Sequence, residues 1–231
     1  MQARHTDRKC YFEESAQSSA RYYLPYILQY HSVSNTDRIL EVGCGEGGNL
    51  KPFAQKGCVV TGIDMANVRI EQAKRFFKED GLVGNFICHD FMTFTPPVHY
   101  NDKYSIIILH DVIEHVVCKE NLIKHISCFL RPDGILFVAF PAWYMPFGGH
   151  QQICRNAIWS KMPYFHLLPT FLYRFILEKC AHEEPDTVAE LLYIKRCKMP
   201  IEQFETLAHK LNMTIINRQL WLVNPHYLQK F

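Results

Sequence analysis

ILEVGCGEGGNL, Ile39 to Leu50, decides how the rest of the chain is read. Ile39, Leu40 and Val42 form a short apolar run of the kind that makes a buried strand. Gly43, Gly45 and Gly48 follow at G-x-G-x-x-G spacing where a helix should begin. That order brings bare backbone and a helix N-terminus up to a ligand. Three glycines alone describe many turns, so the flanking acids matter. Glu41 precedes the first glycine by two positions, at the carboxyl end of the strand, where a carboxylate faces the ligand crevice of an open α/β sheet. Asp64 ends the next apolar run, CVVTGID, where it can accept hydrogen bonds from both hydroxyls of a ribose.

Outward from this stretch the pattern alternates. Leu50–Lys56 reads as a short helix and Cys58–Ile63 as the second strand. Met65–Asp80 carries Val68, Ala73, Phe76 and Phe77 at helical spacing, and Gly81 and Gly84 mark its end. Phe86–Cys88 opens a third strand, and Tyr104–Leu109 is the continuous apolar run expected of a strand buried on both faces. Lys119–Leu130 is a helix, Arg131–Gly134 (RPDG) a turn, and Ile135–Phe140 a fifth strand. Alternation of this kind implies right-handed crossovers and a doubly wound, mostly parallel α/β sheet. Ahead of it, residues 11–30 read as a helical cover divided near Pro25. Behind it, 142–198 is aromatic, proline-rich and too long for an ordinary connection. A helix at Pro200–Leu211 with Ile201, Phe204, Leu207, Ala208 and Leu211 inward follows, and Thr214–Val223 and His226–Phe231 read as closing strands.

Composition narrows the class. With 231 residues, 48% of them hydrophobic and 21% charged, the chain suits one globular α/β domain with an insertion. A net charge of +2 gives no basic excess to attract nucleic acid. Nine cysteines, an odd number without a C-x-x-C pair, argue for reduced thiols and a cytoplasmic location rather than a disulfide framework. No apolar run reaches the length of a membrane span, and MQARHTDRKC is no signal peptide. Oligomeric state is not written in the sequence.

E-V-G-C-G, then G-I-D, then H-D-V-I-E-H after a later strand resembles the class I S-adenosylmethionine-dependent methyltransferases, over roughly Arg38 to Pro141. The similarity is to the broad group with small-molecule O- and N-methyltransferases of the ubiquinone-biosynthesis type. It implies a single methyltransferase domain over 1–231: a Rossmann-like seven-stranded sheet with a cofactor-binding core at 38–141, a cap at 142–198 and a closing helix with antiparallel strands at 199–231. S-adenosyl-L-methionine would be the cofactor and S-adenosyl-L-homocysteine the product. Glu41 would meet the cationic amino end, and Gly43, Cys44, Gly45 and Gly48 would form the turn. Asp64 would hold the ribose, with Met65 on adenine. Asp90 would read the adenine amino group and Phe91 cover the ring, while Leu109 and His110 would line the crevice beside the sulfonium.

Methyl transfer from a sulfonium needs an in-line nucleophile more than acid–base help. A hydroxyl acceptor still gains from a base near neutral pH, for which His150 leads and His115 follows. Trp143, Tyr144, Phe147 and, from the N-terminal cover, Tyr22 are candidate walls of a pocket for a small, partly apolar acceptor. They could equally be the core of a helical cap. No metal site is expected, because the His150/Cys154 pair in HQQIC lacks a partner set. Two rival readings stand beside this one: a methyltransferase-like scaffold that binds cofactor without turnover, and a dinucleotide-dependent oxidoreductase, which shares the glycine fingerprint.

Overall fold

The computed structural model describes residues 7–221. Within them the chain forms two compact units, one of residues 7–112 and 121–139, the other of 113–120 and 140–221.

The first unit is a parallel sheet of five strands in the order β3-β2-β1-β4-β5. These are β1 (Arg38–Val42), β2 (Val59–Asp64), β3 (Asn85–Cys88), β4 (Tyr104–His110) and β5 (Leu130–Ala139). β1 lies between β2 and β4, with Glu41 paired to Gly62 on one side and Ile108 on the other. The order reverses beside β1, the switch point where open α/β sheets bind ligands. Ile106, Ile107, Ile108 and Leu109 are all fully buried, as the apolar run in β4 requires.

α1 (Arg8–Ser18) starts at an Asp7 cap whose carboxylate accepts from the Cys10 amide at 2.9 Å. It runs into a π-helical turn, Ser19–Tyr23, and the short α2 (Leu24–Ile27). The expected division near Pro25 therefore takes the form of a register change: proline brings no amide hydrogen, and the preceding turn widens. α3 (Lys51–Gln55), α4 (Asn67–Glu79) and α5 (Lys119–Phe129) complete the helices that alternate with the strands. Phe12, Phe53, Phe76 and Phe77 anchor the core, with Phe12 and Phe76 ring centroids 5.1 Å apart. Val68 was expected on the inner face of α4 but is 70% exposed; Ile70, three residues before Ala73, takes that place because it keeps the i, i+3 spacing that Val68 breaks.

Two sequence expectations change here. The RPDG turn does not precede the fifth strand but bulges within it: Tyr104 pairs with Leu130 and Ile106 with Ile135, so extra residues are looped out between the two pairs. Seven strands were expected, and the described residues form five. Residues 214–221 run without strand pairing, with Ile216 and Leu220 exposed, while 222–231, including the second expected closing strand, lie outside the described residues.

The second unit is built of short turns and helices: 3-10 turns at Ile113–His115, Gln151–Ile153, Trp159–Lys161 and Phe165–Leu167, then α6 (Thr170–Phe175), α7 (Pro185–Cys197) and α8 (Ile201–Lys210). Its core is Cys154, Phe165, Tyr173, Leu177, Val188 and Leu191. Polar staples hold the loops. Glu183, itself buried, accepts from the amides of Arg155 at 3.0 Å and Asn156 at 2.9 Å. Lys195 donates to the carbonyls of His166 and Leu168 at 2.6 and 2.9 Å. All nine cysteines are unbridged. Among the described residues no helix is long and apolar enough to cross a membrane.

Candidate active site

The carboxyl end of β1 becomes a tight glycine turn because the amides of Gly43 and Cys44 both donate to the Ile63 carbonyl of β2, at 2.8 and 3.1 Å. Gly43, Gly45 and Gly47 all have positive φ, at 73°, 52° and 79°. Side chains rarely adopt that backbone, which explains why the turn is written in glycine. At Gly45 a Cβ would meet no atom within 4 Å, so this glycine borders open space where a ligand can come close to the main chain. Gly48, read from spacing as part of the ligand turn, has a different job: a Cβ there would strike the Phe12 carbonyl and Ser15 of α1. Gly47, outside the fingerprint, supplies the third left-handed residue.

Two carboxylates flank the turn. Glu41 is 1% exposed; its Oε1 accepts from Asn49 Nδ2 at 2.7 Å while its buried Oε2 has no hydrogen-bond partner. Burial, with a smaller push from the Asp64 charge, raises its pKa to about 8 against the pull of Asn49. Asp64 is oriented by backbone: Oδ2 accepts from the Gly45 amide at 2.9 Å and Oδ1 from the Ala66 amide at 2.8 Å. Each oxygen keeps a second lone pair for a ligand hydroxyl. The Cys44 thiol is buried beside these acids, and burial raises its pKa well above the ordinary thiol range.

The remaining expected cofactor residues are placed unevenly. Met65 follows Asp64 and is 72% exposed. Asp90 caps the 3-10 turn Phe91–Thr93, accepting from the Met92 amide at 2.9 Å. Phe91 is buried, its ring 4.9 Å from Phe129 and 5.1 Å from His125. Leu109 is fully buried in β4. His110, the last residue of β4, has its Nε2 2.9 Å from the Tyr23 hydroxyl. Of the neighbouring tyrosines 22 and 23, it is Tyr23 that turns inward, and its phenol is held firmly neutral, by burial first and the Asp111 charge second. A helical reading of 11–30 could have favoured Tyr23 only with the phase of the π turn known.

In the second unit Trp143 is buried, its carbonyl accepting from His166 Nε2 at 2.7 Å and its ring 4.6 Å from the His166 ring. It belongs to this unit's packing, whereas Tyr144 and Phe147 are both exposed, Tyr144 at 60%. His150 has a left-handed backbone, φ 56°, at the start of the turn Gln151–Ile153. The structure brings it to residues the sequence had not joined to it. His150 Nε2 is 3.6 Å from Glu114 Oε1, and His115 Nε2 is 3.8 Å from the same oxygen. The three offer one ligand atom each, all within 4.8 Å of one another. Cys154, the partner suggested by HQQIC, is instead buried in the apolar core of the unit. Sequence spacing could not show this set, since 35 positions of chain separate His115 from His150.

Known proteins resemble the chain as follows. The family model described as a methyltransferase domain matches residues 12–171. A ubiquinone biosynthesis O-methyltransferase of Histophilus somni (strain 2336) is 31% identical over 140 residues, which is 57% of this chain and 58% of the relative. One from Coxiella burnetii (strain RSA 493 / Nine Mile phase I) is 32% identical over 114 residues, 49% of this chain and 47% of the relative. The matches thus span about half the length of these curated relatives. Among solved structures, the plantazolicin methyltransferase BpumL in complex with a pentazolic desmethylPZN analog and SAH has a TM-score of 0.57 at 14% identity, covering 91% of this chain and 67% of that one. At that identity the likeness is one of fold.

Proposed function

The chain belongs to the class I S-adenosylmethionine-dependent methyltransferase family, and from that premise we propose that it transfers a methyl group from S-adenosylmethionine to an oxygen or nitrogen of a small, partly apolar acceptor. The observation that carries the reading is the turn at Gly43–Gly47, with three left-handed glycines set between a buried carboxylate and a backbone-oriented one. The residues suit the cofactor's parts. The unpartnered Oε2 of Glu41 fits a cationic amino group, Asp64 fits a pair of vicinal hydroxyls, and the open space at Gly45 fits close approach of the amino-acid portion. Met65 supplies exposed apolar surface for a purine, and Asp90 a carboxylate next to it in the chain order of the site.

When bound, the cofactor supplies a methyl group on a positively charged sulfur with a neutral thioether as leaving group. The protein's share is then to hold the nucleophile in line. Burial keeps Glu41 mostly protonated near neutral pH, so it gives up that proton to pair with an ammonium, whose charge then compensates the buried carboxylate. His110, fixed by Tyr23, lies at the end of β4, where its position is set by the strand. His115 and His150 are the groups we assign to handling the acceptor's proton. The relatives named as O-methyltransferases favour oxygen as the nucleophile. The reduced cysteines favour a cytoplasmic setting.

Calorimetric titration with S-adenosylhomocysteine tests the reading. Binding by wild type, loss in Asp64→Ala and no heat with NADH are expected. A well-folded wild type that binds no S-adenosylhomocysteine would remove the proposal, and NADH binding would move the oxidoreductase reading forward. Binding without turnover across a screen of hydroxyl and amine acceptors would leave the non-catalytic scaffold.

A further inference from the structure

We propose that the Tyr23 hydroxyl, its proton committed to His110, acts as a lone-pair acceptor that makes the site prefer a ligand charged at the methyl-donor position over the neutral product. Tyr23, His110 and Asp111 then form a specificity element contained in the sheet unit. The inference rests on the methyl-transfer reading and says which of the two forms of the cofactor the site favours.

Geometry comes first. β4 ends at His110, and Asp111 follows it with a left-handed backbone, φ 53°, its amide donating to the Ala139 carbonyl at 2.9 Å. That conformation is uncommon outside glycine, and here it accompanies an Asp111 carboxylate whose Oδ2 lies 3.6 Å from His110 Nδ1. The π turn Ser19–Tyr23 brings a hydroxyl to the other ring nitrogen, with Tyr23 Oη 2.9 Å from Nε2. The Tyr23 ring is fixed by its neighbours, with ring centroids 5.2 Å from His110 and 5.2 Å from Phe137 of β5. This group borders the glycine turn. Val42 pairs with Leu109, so Gly43 and His110 leave their strands side by side, and a Cβ on Gly43 would strike Val112.

The direction of the hydrogen bond follows from charge. A neutral imidazole carries one proton, and the carboxylate beside Nδ1 holds it there, which leaves Nε2 as an acceptor. Burial first, and the Asp111 charge second, keep the Tyr23 phenol protonated, and Glu41 pushes the same way. Its single proton therefore goes to Nε2, and the oxygen has only lone pairs for any further partner. With two carboxylates acting on the same spot, this corner attracts positive charge and gives a neutral thioether nothing comparable. In S-adenosylmethionine two methylenes separate the sulfonium from the carbon that bears the ammonium. A cofactor whose amino end meets Glu41 therefore carries its sulfonium close to the same turn. Loss of the methyl group removes that charge and the attraction with it, so the spent cofactor is held by its adenosine and amino-acid ends alone.

The test is calorimetric titration of the full chain with two ligands. One is S-adenosylhomocysteine; the other is sinefungin, an unreactive analogue with an ammonium-bearing carbon in place of the methylated sulfur. The readout is the ratio of their dissociation constants, which divides out any damage common to both. Tyr23→Phe keeps the ring and its packing, and should shift that ratio about tenfold toward S-adenosylhomocysteine, the effect of one hydrogen bond to a charged group. His110→Phe keeps a ring against Tyr23 but releases the phenol's proton, and should shift the ratio in the same sense by a smaller factor. Tyr26→Phe, whose ring also packs on Phe137, should keep the wild-type ratio. Equal weakening of both ligands in Tyr23→Phe and His110→Phe would overturn the proposal and leave Tyr23 a packing residue. An equal shift in Tyr26→Phe would overturn it too, because the effect would then belong to the packing of the helical cover. Wild type that binds both ligands, with a ratio the Tyr23 and His110 variants do not move, would leave the methyltransferase reading standing without this inference. Folded wild type that binds neither would remove both.

Discussion

Glu41 and Glu114 are both buried carboxylates, and they reach that state by different routes. Glu41 sits in a central parallel strand, its register fixed by neighbours on both sides, and Asn49 satisfies one of its oxygens. Glu114 sits in a single 3-10 turn among loops, with neither oxygen hydrogen-bonded and two imidazoles across from it. In the first case the sheet fixes the acid before any ligand arrives. In the second, three loop residues must be held by packing around them. Regular secondary structure makes a site that spacing can announce, whereas a loop-built site depends on contacts that spacing does not encode.

That comparison can be broken at four points, taken from the largest effect down. Phe53, fully buried beneath the sheet, should cost about 3–5 kcal/mol when cut to Ala. Denaturant unfolding followed by circular dichroism would show it; a loss under 1 kcal/mol would mean that the parallel unit is not the firm frame described above. Asp64→Ala should weaken S-adenosylhomocysteine by about a hundredfold, since hydrogen bonds to a charged group contribute about 1.5–3 kcal/mol each. Calorimetry would show it, and an affinity within threefold of wild type would mean that Asp64 does not meet the ligand.

Glu41 makes the third prediction, and its sign can be worked out. Its folded pKa, about 8, lies above the ordinary 4.5, so the folded protein retains a proton that the unfolded chain has released. Stability contributed by this group therefore falls as pH climbs from about 4.5 to about 8. An ammonium ligand wants the ionised form, so S-adenosylhomocysteine affinity should rise on the order of tenfold between pH 6.5 and 8. Glu41→Gln should flatten both trends, and calorimetry across that range would detect a failure. The smallest effect belongs to Val68→Ala, exposed on α4, which should stay within about 0.5 kcal/mol of wild type in the same unfolding experiment.

Much of the first unit was legible because its chemistry is periodic or local. The buried runs at Ile39–Val42 and Tyr104–Leu109 became β1 and β4, and the Phe76/Phe77 face of α4 turned inward. Where the prediction slipped, a tertiary contact had replaced a local rule. Gly48 matched the ligand fingerprint but serves the approach of α1. The RPDG segment has turn chemistry and forms a bulge because β4 continues beside it. Tyr23 rather than Tyr22 reaches His110 because a π turn shifts the phase by part of a residue turn. The second unit was read as aromatic and helical, yet its pairing of Glu114 and His115 with His150 could not be seen, because loop residues carry no period that aligns them.

The seating of α1 on Gly48 also has a bearing on how this protein should be cut. The matched family region begins at residue 12, and a homology boundary is a tempting place to start a shortened gene. Starting there would discard Asp7, which caps α1, and Arg8, which pairs with the buried Glu46. Starting instead at the first strand would remove Phe12 as well and lay the faces of Phe76 and Phe77 open to water. A preparation trimmed in that way should precipitate or bind hydrophobic dyes, and its failure to bind a ligand would say nothing about the chemistry of the untrimmed chain.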